Sequence, residues 1–146
     1  MAEGLLANML AGAPVKVSSA GTDAPVGRPP TPYAVDAAAE LGADIREHRA
    51  RQLTAKMVRE ADLILVMERY HRARIVEMLP EAGPKVELLG SYGGGQDREI
   101  ADPIGMSMEF YRKIARILAE KLAEVAKGLR ARASRGVSGD GEQRRI

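Results

Sequence analysis

The chain has 146 residues, 45% of them hydrophobic, which is enough to bury a core and short enough for a single domain. It has no run of about 18 apolar residues and no basic-then-apolar start, so we predict a cytoplasmic protein without a membrane span. The absence of cysteine excludes disulfides and thiolate metal sites within these residues.

The positive charge is concentrated near the C-terminus. Residues 129–146 hold five arginines and two acidic residues, a net of +3, so residues 1–128 carry −1 of the total of +2. We therefore predict a domain over 1–128 and a disordered basic tail over 129–146, because the tail has no apolar periodicity. The alternative is a weak contact of the tail with nucleic acid or with an acidic partner, although nucleic acid is not the partner predicted for the chain as a whole.

The body of the chain alternates between helical and strand patterns. Thr31 and Pro32 are typical of a helix start and Gly42 of a helix end, whereas the apolar run at 62–67 is typical of a strand covered on both faces. In chain order we predict a helix over 1–10, a strand at Val15–Ser19, a helix from Thr31 to Leu41, a helix from Thr54 to Glu60, a strand at 62–67, a helix over 69–78, a strand at 85–89 and a long helix from Ser107. This order predicts an α/β fold with a parallel sheet between helical layers.

The first helix has no predicted cap. Leu5, Leu6, Met9 and Leu10 recur at the spacing of one helical face, but no Ser, Thr, Asp or Asn precedes them. In parallel α/β folds a central strand and a loop usually lead into the first helix, and ligands bind at the carboxyl ends of the strands. Neither of these elements is found in the sequence ahead of this helix.

Seven short motifs occur along the chain in a fixed order. They are MAE at 1–3, VSSAGT at 17–22, GRPPTPYA at 27–34, HRARQLT at 48–54, ADLILVME at 61–68, KVELLGSY at 85–92 and DPIGMSMEFY at 102–111. Through these motifs residues 1 to about 128 resemble the low-molecular-weight protein tyrosine phosphatases, whose relatives include bacterial protein arginine phosphatases. The resemblance implies a three-layer αβα fold with a parallel four-stranded sheet.

The resemblance also implies a catalytic loop. In this family an apolar strand precedes the MAE motif, followed by a phosphate loop with the pattern cysteine, five residues, arginine. We therefore expect that the first central strand and the phosphate loop are missing here, and that Met1 is an internal methionine of a longer protein.

Asp102 is the predicted general acid, by this resemblance. The following Pro103 biases Asp102 toward an extended conformation, and the three glycines at 93–95 indicate a long exposed loop. A restricted carboxylate on such a loop can be aimed at a leaving group. An Asp-Pro pair outside this context is more often a simple turn.

Ser19 and His48 match family residues that hydrogen-bond into the phosphate loop and hold its shape. His71, the other histidine, is predicted to be a surface residue. With two histidines and no cysteine, we expect neither a metal site nor another cofactor.

The predicted function is that of a phosphoprotein phosphatase, working through a cysteine-phosphate intermediate in the intact protein. A phosphorylated protein or a small phosphate ester is the expected partner. The nucleophilic cysteine and the phosphate-binding arginine are absent, so the chain as written is predicted to be inactive. Aromatic residues are missing where tyrosine-directed relatives have them, at Ile104 and in the loop of Asp23 and Ala24, so phosphoarginine is a close alternative to phosphotyrosine.

Two other functions remain open at this stage. A chain that truly begins at Met1 would be a non-catalytic interaction module on a phosphatase-derived fold. Thioredoxin-coupled arsenate reductases share a similar start, but they need extra redox cysteines, and this chain has none.

Overall fold

The computed structural model describes residues 1–135 and 144–146, and eleven helices and strands lie within them. They are α1 (Ala2–Met9), β1 (Val15–Lys16), α2 (Pro32–Glu40), α3 (Ala55–Glu60), β2 (Ile64–Val66), α4 (Arg69–Met78), a 3-10 helix (Pro80–Lys85), β3 (Val86–Leu88), a second 3-10 helix (Leu89–Ser91), α5 (Met108–Arg135) and β4 (Arg144–Arg145). The predicted alternation of helices and strands is confirmed. None of the helices in these ranges combines the length and apolar character that crossing a bilayer requires.

The helix ends follow local signals in the sequence. The Thr31 hydroxyl accepts a hydrogen bond from the Ala34 backbone N–H at 3.3 Å, and Pro32 occupies the first turn of α2. Beyond the end of α2, Gly42 has a φ of +84°, a backbone conformation that side chains other than glycine rarely adopt. The predicted start and stop of this helix are therefore confirmed.

The strands are parallel, as predicted, but shorter than the apolar runs that mark them. β2 pairs with β3, with Ile64 opposite Val86 and Val66 opposite Leu88. β1 pairs with β4, with Val15 opposite Arg144. The described strands therefore form two parallel pairs.

Two apolar clusters lie on opposite sides of the strands, which gives the helical layers predicted from the sequence. On one side α1, α2 and α5 pack together, and α5 contributes buried residues spaced along one face, among them Ile114, Leu118, Leu122 and Val125. On the other side α3 and α4 pack on β2 and β3 around Val58 and Ile75.

The C-terminal residues differ from the disordered tail expected over 129–146. The last helix continues to Arg135, and Leu129 is buried against the core, so the helical periodicity extends past residue 128. Arg144 and Arg145 form β4. For residues 136–143 the expectation lies outside the described residues.

Candidate active site

Ser19, His48 and Asp102 line one groove of about 430 Å³, although they are far apart in the sequence. Ser19 lies in the loop after β1, and His48 lies in the segment between α2 and α3. Asp102 lies in the loop between β3 and α5. The groove therefore forms where loops from different strands meet, as expected for a ligand site in a parallel α/β fold.

Glu3 connects two of these residues. Its carboxylate accepts a hydrogen bond from the Ser19 hydroxyl, and the same oxygen lies 3.3 Å from Nδ1 of His48. Glu3 belongs to the first turn of α1, where a carboxylate interacts favourably with the helix dipole. Glu3 was not among the residues predicted for the site, although it is an acidic residue in the first turn of the first helix and belongs to the MAE motif.

The loop that carries Ser19 is held by the segment after His48. The Arg51 side chain donates two hydrogen bonds to the Ser19 carbonyl oxygen, at 3.0 and 3.3 Å. The Gly21 backbone N–H donates to the Arg51 carbonyl, and Gly21 accepts in turn from the Leu53 N–H, both at 2.9 Å. Ser19 and His48 are therefore positioned relative to each other by backbone as well as side-chain contacts.

Asp102 is exposed on its loop but oriented by its neighbours. Its Oδ1 accepts a hydrogen bond from the Ile104 backbone N–H at 3.0 Å, a local turn that restricts the carboxylate. Pro103 is buried, and the Ile100 N–H donates to the Met67 carbonyl at 2.9 Å, next to the end of β2. The loop is thus attached to the sheet two residues before Asp102, so this carboxylate can reach the groove in a defined position.

The rim of the groove carries an aromatic residue, Tyr70, that was not predicted from the sequence. Tyr70, at the start of α4, is 52% exposed and donates a hydrogen bond from its hydroxyl to Asp23 at 3.0 Å. The Arg74 guanidinium lies 6.0 Å from the centre of the Tyr70 ring and 3.9 Å from Asp23. Ile104, after the predicted acid, is 67% exposed. The aromatic side chain at the groove thus comes from a helix, and not from the two loops in which tyrosine-directed relatives were expected to have one.

His71 is not the simple surface residue that was predicted. It is half-buried and lines the groove beside Tyr70. Its Nδ1 accepts a hydrogen bond from the Glu68 backbone N–H at 3.2 Å, so the side chain caps the first turn of α4. Within residues 1–135 and 144–146, no group of three or more histidine and acidic side chains is placed to hold a metal ion.

The segment that leads to His48 contains a strongly paired carboxylate. The Arg46 side chain donates to both oxygens of Asp44, at 2.9 and 2.7 Å, and the Arg46 N–H donates as well. These hydrogen bonds lower the pKa of Asp44 from 3.8 to about 2. The lowered pKa depends on the folded backbone of this segment, because that backbone places Arg46 beside Asp44.

This pairing predicts a pH dependence. The folded-state pKa of Asp44 lies below that of the unfolded chain, so the ion pair favours folding above about pH 4, and its contribution is lost as the pH falls toward 2. In an NMR titration we expect Asp44 to titrate near the lower value, and Arg46→Ala to return its pKa toward 3.8. Arg49→Ala is the control. Arg49 is a neighbouring arginine that donates to the backbone carbonyls of Arg46 and His48, and its removal leaves the Arg46 hydrogen bonds to Asp44 in place. An unchanged pKa in Arg46→Ala would contradict the assignment.

The fold and the groove define the class of protein first: it is an α/β protein with a groove at the carboxyl ends of parallel strands. The model of the family described as low molecular weight phosphotyrosine protein phosphatase matches residues 1–135. The chain belongs to this family of protein phosphatases.

Known relatives and solved structures agree with this assignment. The chain is 40% identical over 131 residues to the probable low molecular weight protein-tyrosine-phosphatase EpsP of Ralstonia nicotianae, covering 90% of this chain and 82% of that relative. It is 38% identical to Wzb of Escherichia coli over 117 residues, 80% of this chain and 78% of the relative. The structure of the YwlE arginine phosphatase from Geobacillus stearothermophilus superimposes with a TM-score of 0.85 at 32% identity, covering 95% of this chain and 89% of the other.

Proposed function

We propose that this chain supplies the general acid of a protein phosphatase that works through a cysteine-phosphate intermediate. The observation that carries the proposal is the convergence of Asp102, Ser19 and His48 on one groove. Asp102 is the general acid, and the groove is the place where the phosphorylated side chain of a protein or a small phosphate ester binds.

The reaction assigns Asp102 two proton transfers. In the first step a thiolate attacks phosphorus, the sulfur–phosphorus bond forms and the bond to the leaving oxygen or nitrogen breaks, while protonated Asp102 donates its proton to the leaving atom. In the second step water attacks phosphorus, an oxygen–phosphorus bond forms and the sulfur–phosphorus bond breaks, which releases phosphate and the thiolate, while the Asp102 carboxylate accepts a proton from that water. The same side chain therefore returns to its starting state after each turnover.

Glu3, Ser19 and His48 have a supporting role in this proposal. An anion-binding loop needs several backbone N–H groups to point at the same phosphate oxygens, and that conformation must be held from outside. A hydroxyl and an imidazole that share one carboxylate form a rigid polar support, because each fixes the orientation of the others. Their place beside the groove makes them suited to hold such a loop.

The nucleophile comes from outside these residues in this proposal, since the 146 residues include no cysteine. The isolated chain is therefore expected to give no turnover of p-nitrophenyl phosphate, phenyl phosphate or a phosphotyrosine peptide above a buffer blank. Steady-state release of phenol and phosphate is the measurement. Hydrolysis at an ordinary enzymatic rate of about 1 per second or faster would refute the proposed chemistry.

A fusion protein tests whether adding the nucleophile produces activity. In this protein, called the loop fusion, an apolar strand and a loop with the family pattern of cysteine, five residues and arginine are joined to the amino end of the chain. We expect this loop fusion to hydrolyse phenyl phosphate, whereas the same fusion with serine in place of the cysteine does not. Circular dichroism shows whether both fusions fold alike, so that a loss of activity can be assigned to the missing thiol.

Phosphotyrosine is the proposed substrate group, with phosphoarginine second. Tyr70 supports the former, because an exposed aromatic ring at the rim can stack on a phenol ring. Ile104 supports the latter, because the position after the Asp-Pro pair offers an aliphatic wall. The ratio of kcat/KM for phosphotyrosine and phosphoarginine peptides in the loop fusion decides between them.

One observation favours a second candidate, a non-catalytic interaction module. The C-terminal residues pair with β1, so the chain supplies a strand to its own sheet. A loop fusion that folds but has no activity, together with an isolated chain that is a stable monomer, would favour this module over the enzyme.

A further inference from the structure

The loop that carries Asp102 has little regular structure of its own. The described backbone of residues 92–107, which we call the acid loop, contains no helix or strand. Near its start, Gly93 and Gly94 have φ values of +81° and +93°. Irregular backbone rich in glycine has many accessible conformations, so the position of Asp102 depends on the contacts that attach the acid loop to the rest of the fold.

Two backbone contacts attach residues 98–100 of the acid loop. The Arg98 N–H donates to the Ser91 hydroxyl at 3.1 Å, and the Ile100 N–H donates to the Met67 carbonyl at 2.9 Å. The Ile100 side chain is only 3% exposed, so this stretch is anchored by burial as well. The attached stretch ends two residues before the predicted general acid, and a shift of this stretch would therefore move the acid too.

The side chain of Arg69, at the start of α4, provides a further attachment. Its Nε donates a hydrogen bond to Oδ2 of Asp97 at 3.1 Å, and its Nη2 donates to the same oxygen. Its Nη1 lies 3.6 Å from Oε1 of Glu99, and this oxygen also accepts a hydrogen bond from the Arg69 backbone N–H at 2.8 Å. One residue of α4 therefore binds two carboxylates of the acid loop.

These ion pairs are exposed, which limits their effect on the whole fold. The side chains of Arg69 and Asp97 are 55% and 60% exposed, and that of Glu99 is 42% exposed. Such pairs contribute little to the free energy of unfolding, because water screens them. A loop without regular structure opens locally at a much lower cost than the fold unfolds, so the pairs are expected to act on the position of the acid loop.

We infer that Arg69 is a positioning residue for the general acid Asp102. It acts through Asp97 and Glu99, which hold the acid loop against the start of α4 and so keep the Asp102 carboxylate in place at the groove. Proton transfer requires the donor within hydrogen-bond reach of the leaving atom, and a displacement of about 1 Å can cost about 10²-fold in rate. The inference rests on the proposed function of Asp102, and it adds a residue that does not itself line the groove.

The first experiment measures amide hydrogen exchange, which does not depend on activity, in the 146-residue chain and in the serine form of the loop fusion. Arg69→Gln removes the charge that binds the acid loop, and we expect the Ile100 N–H to exchange several-fold faster. Arg112→Gln is the matched control, because Arg112 makes a comparably exposed pair with both oxygens of Glu40, between α5 and α2. Equal exchange rates of the Ile100 N–H in the two variants would overturn the inference.

The second experiment tests whether Arg69 acts on proton donation, through the steady-state kinetics of the loop fusion. Arg69→Gln is expected to lower kcat/KM for phenyl phosphate about five- to tenfold. For p-nitrophenyl phosphate the expected loss is less than about twofold, because its leaving group needs little help from an acid. Arg69→Lys keeps a positive charge beside Asp97 and Glu99 and is expected to recover part of the loss. Equal losses for the two substrates would refute the positioning role.

The two experiments separate this inference from the proposed function. A loop fusion without activity would count against the proposed function, and the exchange of the Ile100 N–H would still decide whether Arg69 holds the acid loop. An active loop fusion in which Arg69→Gln and Arg112→Gln hydrolyse phenyl phosphate equally well would support the proposed function and refute the inference. Equal midpoints of urea unfolding are expected for the two variants, and a lower midpoint for Arg69→Gln alone would assign it a structural role instead.

Discussion

Replacing Gly90 by alanine is expected to destabilise the folded chain by about 3 kcal/mol. A Cβ atom at Gly90 would lie 1.9 Å from the carbonyl oxygen of Arg98, far inside a normal contact, and 2.9 Å from its carbonyl carbon. Both atoms belong to the backbone, so the clash cannot be relieved by a side-chain rotation. The loop 91–107 would have to move away from the end of β3. Urea unfolding followed by circular dichroism measures the free energy of unfolding.

Gly95→Ala is the matched control, in the loop that follows Gly90. Its added Cβ would meet the Lys121 ammonium at 3.8 Å, which is an ordinary van der Waals contact with the end of a flexible side chain. We expect a change of at most about 0.5 kcal/mol. Equal unfolding midpoints for the two variants would show that the close approach of Gly90 and Arg98 does not hold this loop.

The helices were predictable because their signals are local. The helix expected over 69–78 is α4, Arg69–Met78, and the Thr31 cap lies at its predicted place at the start of α2. Capping residues and apolar spacing act within a turn or two, so a short stretch of sequence contains the whole signal. The strand bounds were less predictable, because a strand is defined by hydrogen bonds to a distant partner. The run at 62–67 contains only three paired residues, Ile64–Val66.

The C-terminal strand could not have been predicted from its own residues. Arg144 and Arg145 are polar and have no alternating pattern, and only Ile146 has an apolar side chain. Their pairing with β1 depends on the backbone groups that β1 and Asp62 present, which is a property of the folded chain.

In the candidate site, too, residues within local motifs were predicted, whereas residues that depend on contacts distant in sequence were not. Asp102, Ser19 and His48 were identified by motif resemblance, and their catalytic and supporting roles remain predictions. Glu3 and Tyr70 were missed, because their importance comes from contacts across the fold. Tyr70 is 47 residues from its partner Asp23. Such contacts depend on how loops converge at the ends of the strands, and no spacing rule contains that information.

Asp102→Asn in the loop fusion is expected to reduce kcat/KM for phenyl phosphate by about 10² to 10⁴. Asparagine has nearly the same shape and can still accept the hydrogen bond from the Ile104 N–H, but it cannot donate a proton to the leaving oxygen. The leaving group would depart as phenolate, whose conjugate acid has a pKa of about 10. The loss therefore comes from chemistry and not from a change in the fold of the loop.

The leaving group provides the specific readout for this role. p-Nitrophenolate is a much more stable anion than phenolate and needs less help from an acid, so the loss of kcat/KM is expected to be clearly smaller for p-nitrophenyl phosphate. Asp36→Asn, the same chemical change at an exposed position of α2, should leave both substrates unaffected. Equal losses for the two substrates would show that Asp102 holds the groove in shape without donating a proton. In that case the general acid would have to be sought among the other groups that line the groove.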